Sequence, residues 1–466
     1  MTYAYPDATS IAASVQGQEV SAKAVVAAAL ARIADQNSTL NCFTSVIAEQ
    51  ALEDAEAVDR AISQGKEPGP LAGVPFGVKD LFDIAGLTTL AGSKINRKRP
   101  PATQDATLVA RLKQAGGILV GAQNMDEYAY GFVTENSHYG PSRNPHDLSR
   151  MTGGSSGGSV AAVAAGLVPI SLGSDTNGSI RVPSSLCGIF GLKPTYGRLS
   201  RARTYPFVDS LDHLGPFARS VRDIALVFDL LQGPDPADPV CTDRPLQPCL
   251  PELAKGAEGL RMAIADGYFT AGAEPEVLDA VEKVARALNA TQPVIIPEAH
   301  RARAAAFVIT ACEGSNLHLE DLRKHPQDFD PATRDRFLAG ALIPAAWYIQ
   351  AQRFRRWYRD QVRELFQQVD IILAPATPCP APLIGQTTLL LDGVEVPLRP
   401  NLGLYTQPLS LIGLPIMTVP IQRPEALPIG VQIIAAPYNE ALVLRVAAYL
   451  EANGLVSAPV PKPKLG

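Results

Sequence analysis

A chain of 466 residues, 46% hydrophobic and 19% charged, has enough apolar material for a large core or two domains and reads as an ordinary soluble globular protein. Its 41 basic and 46 acidic side chains leave a formal net charge of -5, which offers no electrostatic footprint for nucleic acid or for an anionic membrane. There is no long unbroken apolar run, and MTYAYPDATS at the start lacks the basic patch and apolar stretch of a secretory signal, so a cytoplasmic protein with no membrane partner is expected.

Six cysteines, at 42, 187, 241, 249, 312 and 379, show neither C-x-x-C nor Cys/His pairing at zinc spacing. Metal and disulfide readings are therefore weak, and the thiols read as small buried apolar groups. From Ser10 to Gln64 the pattern is helical, in three Ala-rich stretches with apolar residues three and four apart, the second capped by Ser21. The apolar run from Gly73 to Val78 predicts a buried strand that leaves Lys79 at its end, pointing inward. Loss of solvation disfavours the ammonium and lowers its pKa. The alternative is a surface pair of Lys79 with Asp80.

A helix over Thr107 to Ala115 and a strand over Ile118 to Gly121 follow. Asn124 to Gly131 reads as a strand-to-helix turn rich in polar groups, with Tyr128 and Tyr130 as an aromatic pair. Residues 136–150 carry turn signals that lead into the most unusual stretch of the chain, Met151 to Arg198. There Gly153, Gly154, Gly157 and Gly158 surround Ser155 and Ser156, and Asp175-Thr-Asn-Gly-Ser-Ile-Arg181 follows an apolar run. Glycine at that density lets backbone N–H groups approach a ligand. Neither phosphate-cradle pattern is present, G-x-x-x-x-G-K-[ST] or G-x-G-x-x-G. Hydroxyls stand out instead, at Ser155, Ser156 and Ser179, with no histidine in the segment. A serine nucleophile without histidine commonly relies on a lysine of lowered pKa.

After Ser200 the chain reads as helix and loop to Leu231, then as a Pro-rich surface crossing. Short strands are expected at Leu260 to Ala265 and Val294 to Ile296, with long helices between about 301 and 367. Strands at Asp370 to Ala374, Ile416 to Pro420 and Ile429 to Ile434 precede a closing helix from Glu440 to Ala452. The Pro-rich tail from Ala458 to Gly466 reads as loose. Short Val/Ile-rich runs alternating with helices predict an α/β fold, a mixed central sheet covered by helices on both faces.

The two Gly/Ser clusters, with Gly73-Val-Pro-Phe-Gly-Val-Lys79-Asp80 upstream, resemble the motifs of the amidase signature family over nearly the whole chain. The resemblance implies one amidase domain over residues 1–466. It would comprise N-terminal helices at 8–65, a catalytic core at 66–230 and 368–457, and a variable, substrate-covering region at about 259–367. It implies a Ser-Ser-Lys triad in which Ser179 attacks the amide carbon, Ser155 relays the proton and neutral Lys79 receives it. The oxyanion hole would be the N–H groups of Thr176, Asn177, Gly178 and Ser179, with no metal and no cofactor. Asp175 and Arg181 read as an ion pair holding the loop.

One departure is Asn177, where the family usually has Gly. Asn tolerates positive φ, so its side chain either contacts substrate or caps the turn. SDTNGSIRVPSSLCG, TLAGSKINR, NPHDLSR and the block RDRF…AAWY…AQRFRR resemble the branch of cyanuric acid breakdown that deaminates a small carboxylated ureide such as 1-carboxybiuret. That branch pairs with a small helical protein, so a hetero-oligomer with a small helical partner is expected. A carboxylated ureide suits a bidentate arginine. Position within the family makes that Arg336, with Tyr128, Tyr130, His318 and Arg323 as further candidates for substrate contact. The rivals are the branch that frees ammonia from glutamine for a tRNA-bound substrate, and hydrolases of other ureides such as oxalurate. The Asp that recognises the glutamine amino group in the first of these would fall at Gly403, where no side chain exists.

Overall fold

Strands that are apolar on both faces must be covered on both faces, and the chain meets this by gathering its buried strands into the interior of one eleven-stranded sheet. The computed structural model describes residues 6–461. In chain order the strands are β1 (Phe43–Val46), β2 (Pro75–Lys79), β3 (Ile118–Gln123), β4 (Ile170–Asp175), β5 (Phe190–Lys193), β6 (His213–Ala218), β7 (Met262–Ala265), β8 (Gln292–Val294), β9 (Ile371–Pro375), β10 (Ile416–Ile421) and β11 (Ile429–Ala435). Their spatial order is β1-β3-β2-β4-β6-β5-β10-β11-β9-β7-β8. The sheet is mixed, with β3, β2 and β4 parallel to one another and β6, β5, β10 and β11 joined antiparallel.

The register of the parallel trio positions the site. Val78 lies opposite Leu172 and Lys79 opposite Gln123, so Lys79 leaves β2 beside the carboxyl end of β4. Carboxyl ends of parallel strands are where open α/β sheets leave a crevice for ligands.

Helices form where their signals predicted. Ala22–Leu40 is capped by Ser21, whose Oγ accepts the Ala24 N–H at 3.1 Å, and Glu440–Ala452 matches its expected bounds. The second long pattern divides into Pro331–Ala341 and Ala345–Leu365, because Pro344 cannot continue the first helix and caps the next. The strand expected at Val294 to Ile296 ends instead at Val294. Among the described residues no helix is long and apolar enough to cross a membrane. Of the proline-rich tail, residues 462–466 lie outside the described residues.

Four strands of the sheet escape sequence reading, β4 among them because its residues read only as an apolar run. β6 falls in the stretch that reads as helix and loop, β5 in the serine-rich stretch, and β1 in a link between helices. β6, HLGPFA, sits inside the sheet between β4 and β5 despite Gly215 and Pro216, residues that weaken a strand signal. Gly215 is needed there because a Cβ would lie 2.0 Å from the Leu192 carbonyl oxygen.

Candidate active site

Lys79 is wholly buried at the end of β2. Burial strips the ammonium of its hydration and lowers the pKa to about 7, against the opposing pull of the Asp126, Asp212 and Asp175 carboxylates. Its Nζ lies 2.6 Å from Ser155 Oγ and 2.8 Å from Ser174 Oγ. No surface pair with Asp80 forms. Asp80 is itself buried, accepts from Thr44 Oγ1 at 2.6 Å, and has its carboxyl pushed up to about 7 by burial.

Ser174 gives no signal in the sequence. It stands one residue before the Asp175 cluster, but a hydroxyl on a buried strand carries no sign of its neighbour until β2 and β4 are paired. Its contact has a chemical consequence, because a neutral amine has two N–H groups and one lone pair. If one N–H is spent on Ser174, the lone pair can face Ser155.

Ser155 sits just ahead of the helix Gly157–Ala164, after a cis Gly154–Ser155 peptide bond. The glycines around it serve packing rather than ligand approach. A Cβ on Gly154 would fall 2.1 Å from Asp126 Oδ2, and one on Gly158 would fall 2.4 Å from the Cys42 carbonyl oxygen. Asp126 also accepts the Thr134 N–H at 3.0 Å, and its own N–H donates to the Ser155 carbonyl at 3.3 Å, which ties the serine loop to the preceding turn.

The second cluster is the turn from β4 into the helix Arg181–Cys187. Asp175 and Arg181 are fully buried and paired through two contacts of 3.0 Å, and Arg181 also donates to the Thr406 carbonyl and Gln432 Oε1. Burial alone would raise the Asp175 pKa, yet the guanidinium outweighs it and holds the carboxyl at about 2. The positive φ of the turn falls at Gly178, at +144°, and not at Asn177. A Cβ on Gly178 would lie 2.2 Å from Thr406 Oγ1, whose hydroxyl donates to the Asn177 carbonyl at 2.7 Å. Among the described residues no backbone hydrogen bond is donated by Asn177, Gly178 or Ser179, so those N–H groups remain available. Ser179 is 3% exposed, and its hydroxyl has no hydrogen bond to a described residue, Ser155 included. Such contacts often close only with substrate in place.

The other candidates fall into two groups and an outlier. Arg336, on Pro331–Ala341, is half-buried, with its guanidinium carbon 3.9 Å from the Tyr130 ring centroid and donating to the Tyr130 carbonyl. Burial raises the Asp126 pKa, and the charges of Arg399, Arg336 and Lys79 oppose that rise. Tyr128 and His318 meet with ring centroids 4.0 Å apart, tilted by 39°, in an aromatic cluster with Tyr205, Phe329 and Phe337. Burial there lowers the His318 pKa to about 3, so the ring is neutral. Arg323 is exposed on the short helix Leu319–Lys324. Phe132 gives no signal in the sequence either. It occupies the space beside Gly403, where a Cβ would meet Phe132 Cζ at 2.5 Å.

A cavity of ≈ 220 Å³ reaches Ser174 and Thr176 between Leu81, Phe207, Asp212 and Leu214; Ser179 and Arg336 are not among its walls. Among the described residues no group of His, Cys, Asp and Glu is placed to hold a metal ion.

A hydroxyl on a buried, near-neutral lysine, beside a turn with free N–H groups, is suited to acyl transfer, and comparison with known proteins agrees. The Amidase family model matches residues 24–444. AtzE of Pseudomonas sp. (strain ADP), a component of 1-carboxybiuret hydrolase, is 56% identical over 437 residues, 93% of this chain and 96% of the relative. The matching component of the glutamyl-tRNA(Gln) amidotransferase of Chromohalobacter salexigens is 39% identical over 467 residues, 94% of each chain. A solved structure, described as an unexpected vestigial protein complex that reveals the evolutionary origins of an s-triazine catabolic enzyme, superposes with TM-score 0.96. It is 54% identical, covering 97% of this chain and 100% of its own. The chain belongs to the Amidase family and is a hydrolase of amide C–N bonds.

Proposed function

We propose that this amidase is a cytoplasmic enzyme that releases ammonia from a small carboxylated ureide resembling 1-carboxybiuret, using Lys79, Ser155 and Ser179. The observation that carries the chemistry is the buried Lys79 amine, with a pKa near 7 and 2.6 Å from Ser155 Oγ. Neutral Lys79 takes the Ser155 proton as Ser155 takes that of Ser179, and Ser179 Oγ bonds to the amide carbon. The oxyanion then rests on the N–H groups of residues 176–179, where loss of one donor costs about 3 kcal/mol of barrier. Collapse breaks the C–N bond, and the proton on Lys79 returns through Ser155 to the leaving nitrogen. Water repeats the route and frees the acid.

The substrate reading is supported by the 56% identical relative, and it assigns the carboxylate to Arg336, whose Nε and Nη2 already donate to the Ala332 and Tyr130 carbonyls and whose other N–H groups form the remaining planar edge. Against glutamine stands Gly403. An acidic side chain there, as the resembled amidotransferases use for the amino group, would collide with Phe132. The proposal includes one amidase domain, with the region of about 259–367 covering the site, and a small helical partner protein, in keeping with the complex described for the 54% identical structure.

Ammonia release from ureides and from glutamine, measured side by side, tests the substrate. Release from glutamine alone would replace this reading with the amidotransferase one. Ser179→Ala should abolish release while keeping its fold, and an active Ser179→Ala protein would end the mechanism. Co-purification from the native source tests the partner, and a fully active lone chain would contradict it.

A further inference from the structure

The Asn177 carboxamide is held at one end only. Its Nδ2 donates to Thr310 Oγ1 at 2.8 Å, on the helix Ala299–Leu317, and both residues are more than nine-tenths buried. Its Oδ1 is buried with no hydrogen-bond partner. A buried acceptor is normally satisfied by protein or water, and one left open in a native structure asks for a reason. The backbone cannot turn to supply a donor, because Thr406 clamps the Asn177 carbonyl and fills the space behind Gly178. The unpartnered atom therefore belongs to the same pinned turn that presents the N–H groups of residues 177–179.

We infer that Asn177 Oδ1 accepts a hydrogen bond from a substrate N–H next to the scissile carbonyl, and so selects ureides over simple amides. This rests on the amidase reading above and adds the group that is recognised. The turn offers donors to a developing oxyanion and, one side chain away, an acceptor. A ureide presents the matching pair, a carbonyl oxygen and the adjoining N–H. A simple amide has a methylene where the ureide has that N–H, and it would leave Oδ1 as empty as before. Thr310 is a positioning residue, since its hydroxyl holds the Nδ2 end of the carboxamide and leaves Oδ1 as the open end.

Ureidoacetate and succinamate are isosteric probes, both carboxylates with a terminal amide, differing only in NH against CH2. The quantity to measure is the ratio of their kcat/KM values, in which intrinsic reactivity cancels between enzyme variants. In Asn177→Ala the preference for ureidoacetate should fall roughly tenfold, the usual scale of one neutral hydrogen bond. Thr310→Val should lower the ratio in the same direction, and Thr310→Ser should restore it, a pattern that loss of packing would not produce. Circular dichroism identifies any variant that fails to fold, and the Thr310 pair then carries the test. A ratio that stays constant across folded variants overturns the role of Asn177 and leaves the ureide reading standing. Ammonia from glutamine but from neither probe removes both.

Discussion

Ammonia release should rise with pH through about 7 and level off above it, because only the uncharged Lys79 amine can accept the serine proton. At the ordinary lysine pKa of 10.5, about 0.03% of the amine is neutral at pH 7, whereas a pKa near 7 leaves half of it neutral, a gain of about 1,500-fold in competent enzyme. The assay is kcat/KM for ammonia release between pH 5 and 9 in wild type, Lys79→Arg and Lys79→Met. Both variants should lose about 10²- to 10⁴-fold, the usual worth of a positioned general base, and with it the acid limb. The same shift has a stability signature. The folded pKa is depressed below the unfolded one, so between pH 7 and 10.5 the unfolded chain binds more protons, and stability must rise with pH across that window. The buried amine costs on the order of 5 kcal/mol below pH 7. Lys79→Met should therefore be more stable than wild type at pH 6, by an amount that shrinks toward pH 10. A flat rate profile in wild type, or an acid limb that survives in Lys79→Met, would refute the reasoning.

Three further outcomes are expected. Arg336→Gln should raise KM for carboxylated substrates roughly tenfold, the scale of a charge-assisted hydrogen bond, and affect an uncharged amide much less; equal effects on both would remove Arg336 from carboxylate binding. Gly403→Asp should lower the melting temperature through an overpacking cost of about 1–3 kcal/mol, and Phe132→Ala in the same chain should relieve it. Arg181→Ala should cost about 3–5 kcal/mol by stranding the Asp175 carboxylate. The pair also sets an acid limit. Asp175 titrates at about 2 when folded and 3.8 when free, so its contribution is present above pH 4 and disappears as pH falls toward 2. In Arg181→Ala that loss should begin at higher pH, as acid unfolding followed by circular dichroism would show.

By itself the sequence determined the fold class, the strand that ends in Lys79 and the two serine clusters, because each is written in local pattern: apolar runs, caps, and Gly/Ser-rich turns with no histidine. It also predicted the Asp175–Arg181 pair, six residues apart on one turn. What it withheld depends on which strands become neighbours. Ser174 touches Lys79 only because β2 and β4 pair in parallel, and β6 stays in the sheet although Gly215 and Pro216 argue against a strand. Phe132 fills the space at Gly403 from a segment some 270 positions away in the chain, and Thr310 reaches Asn177 across 133. Local propensity is a property of a dozen residues, whereas the field at Lys79, the space behind Gly403 and the free end of Asn177 arise from segments brought together only by folding.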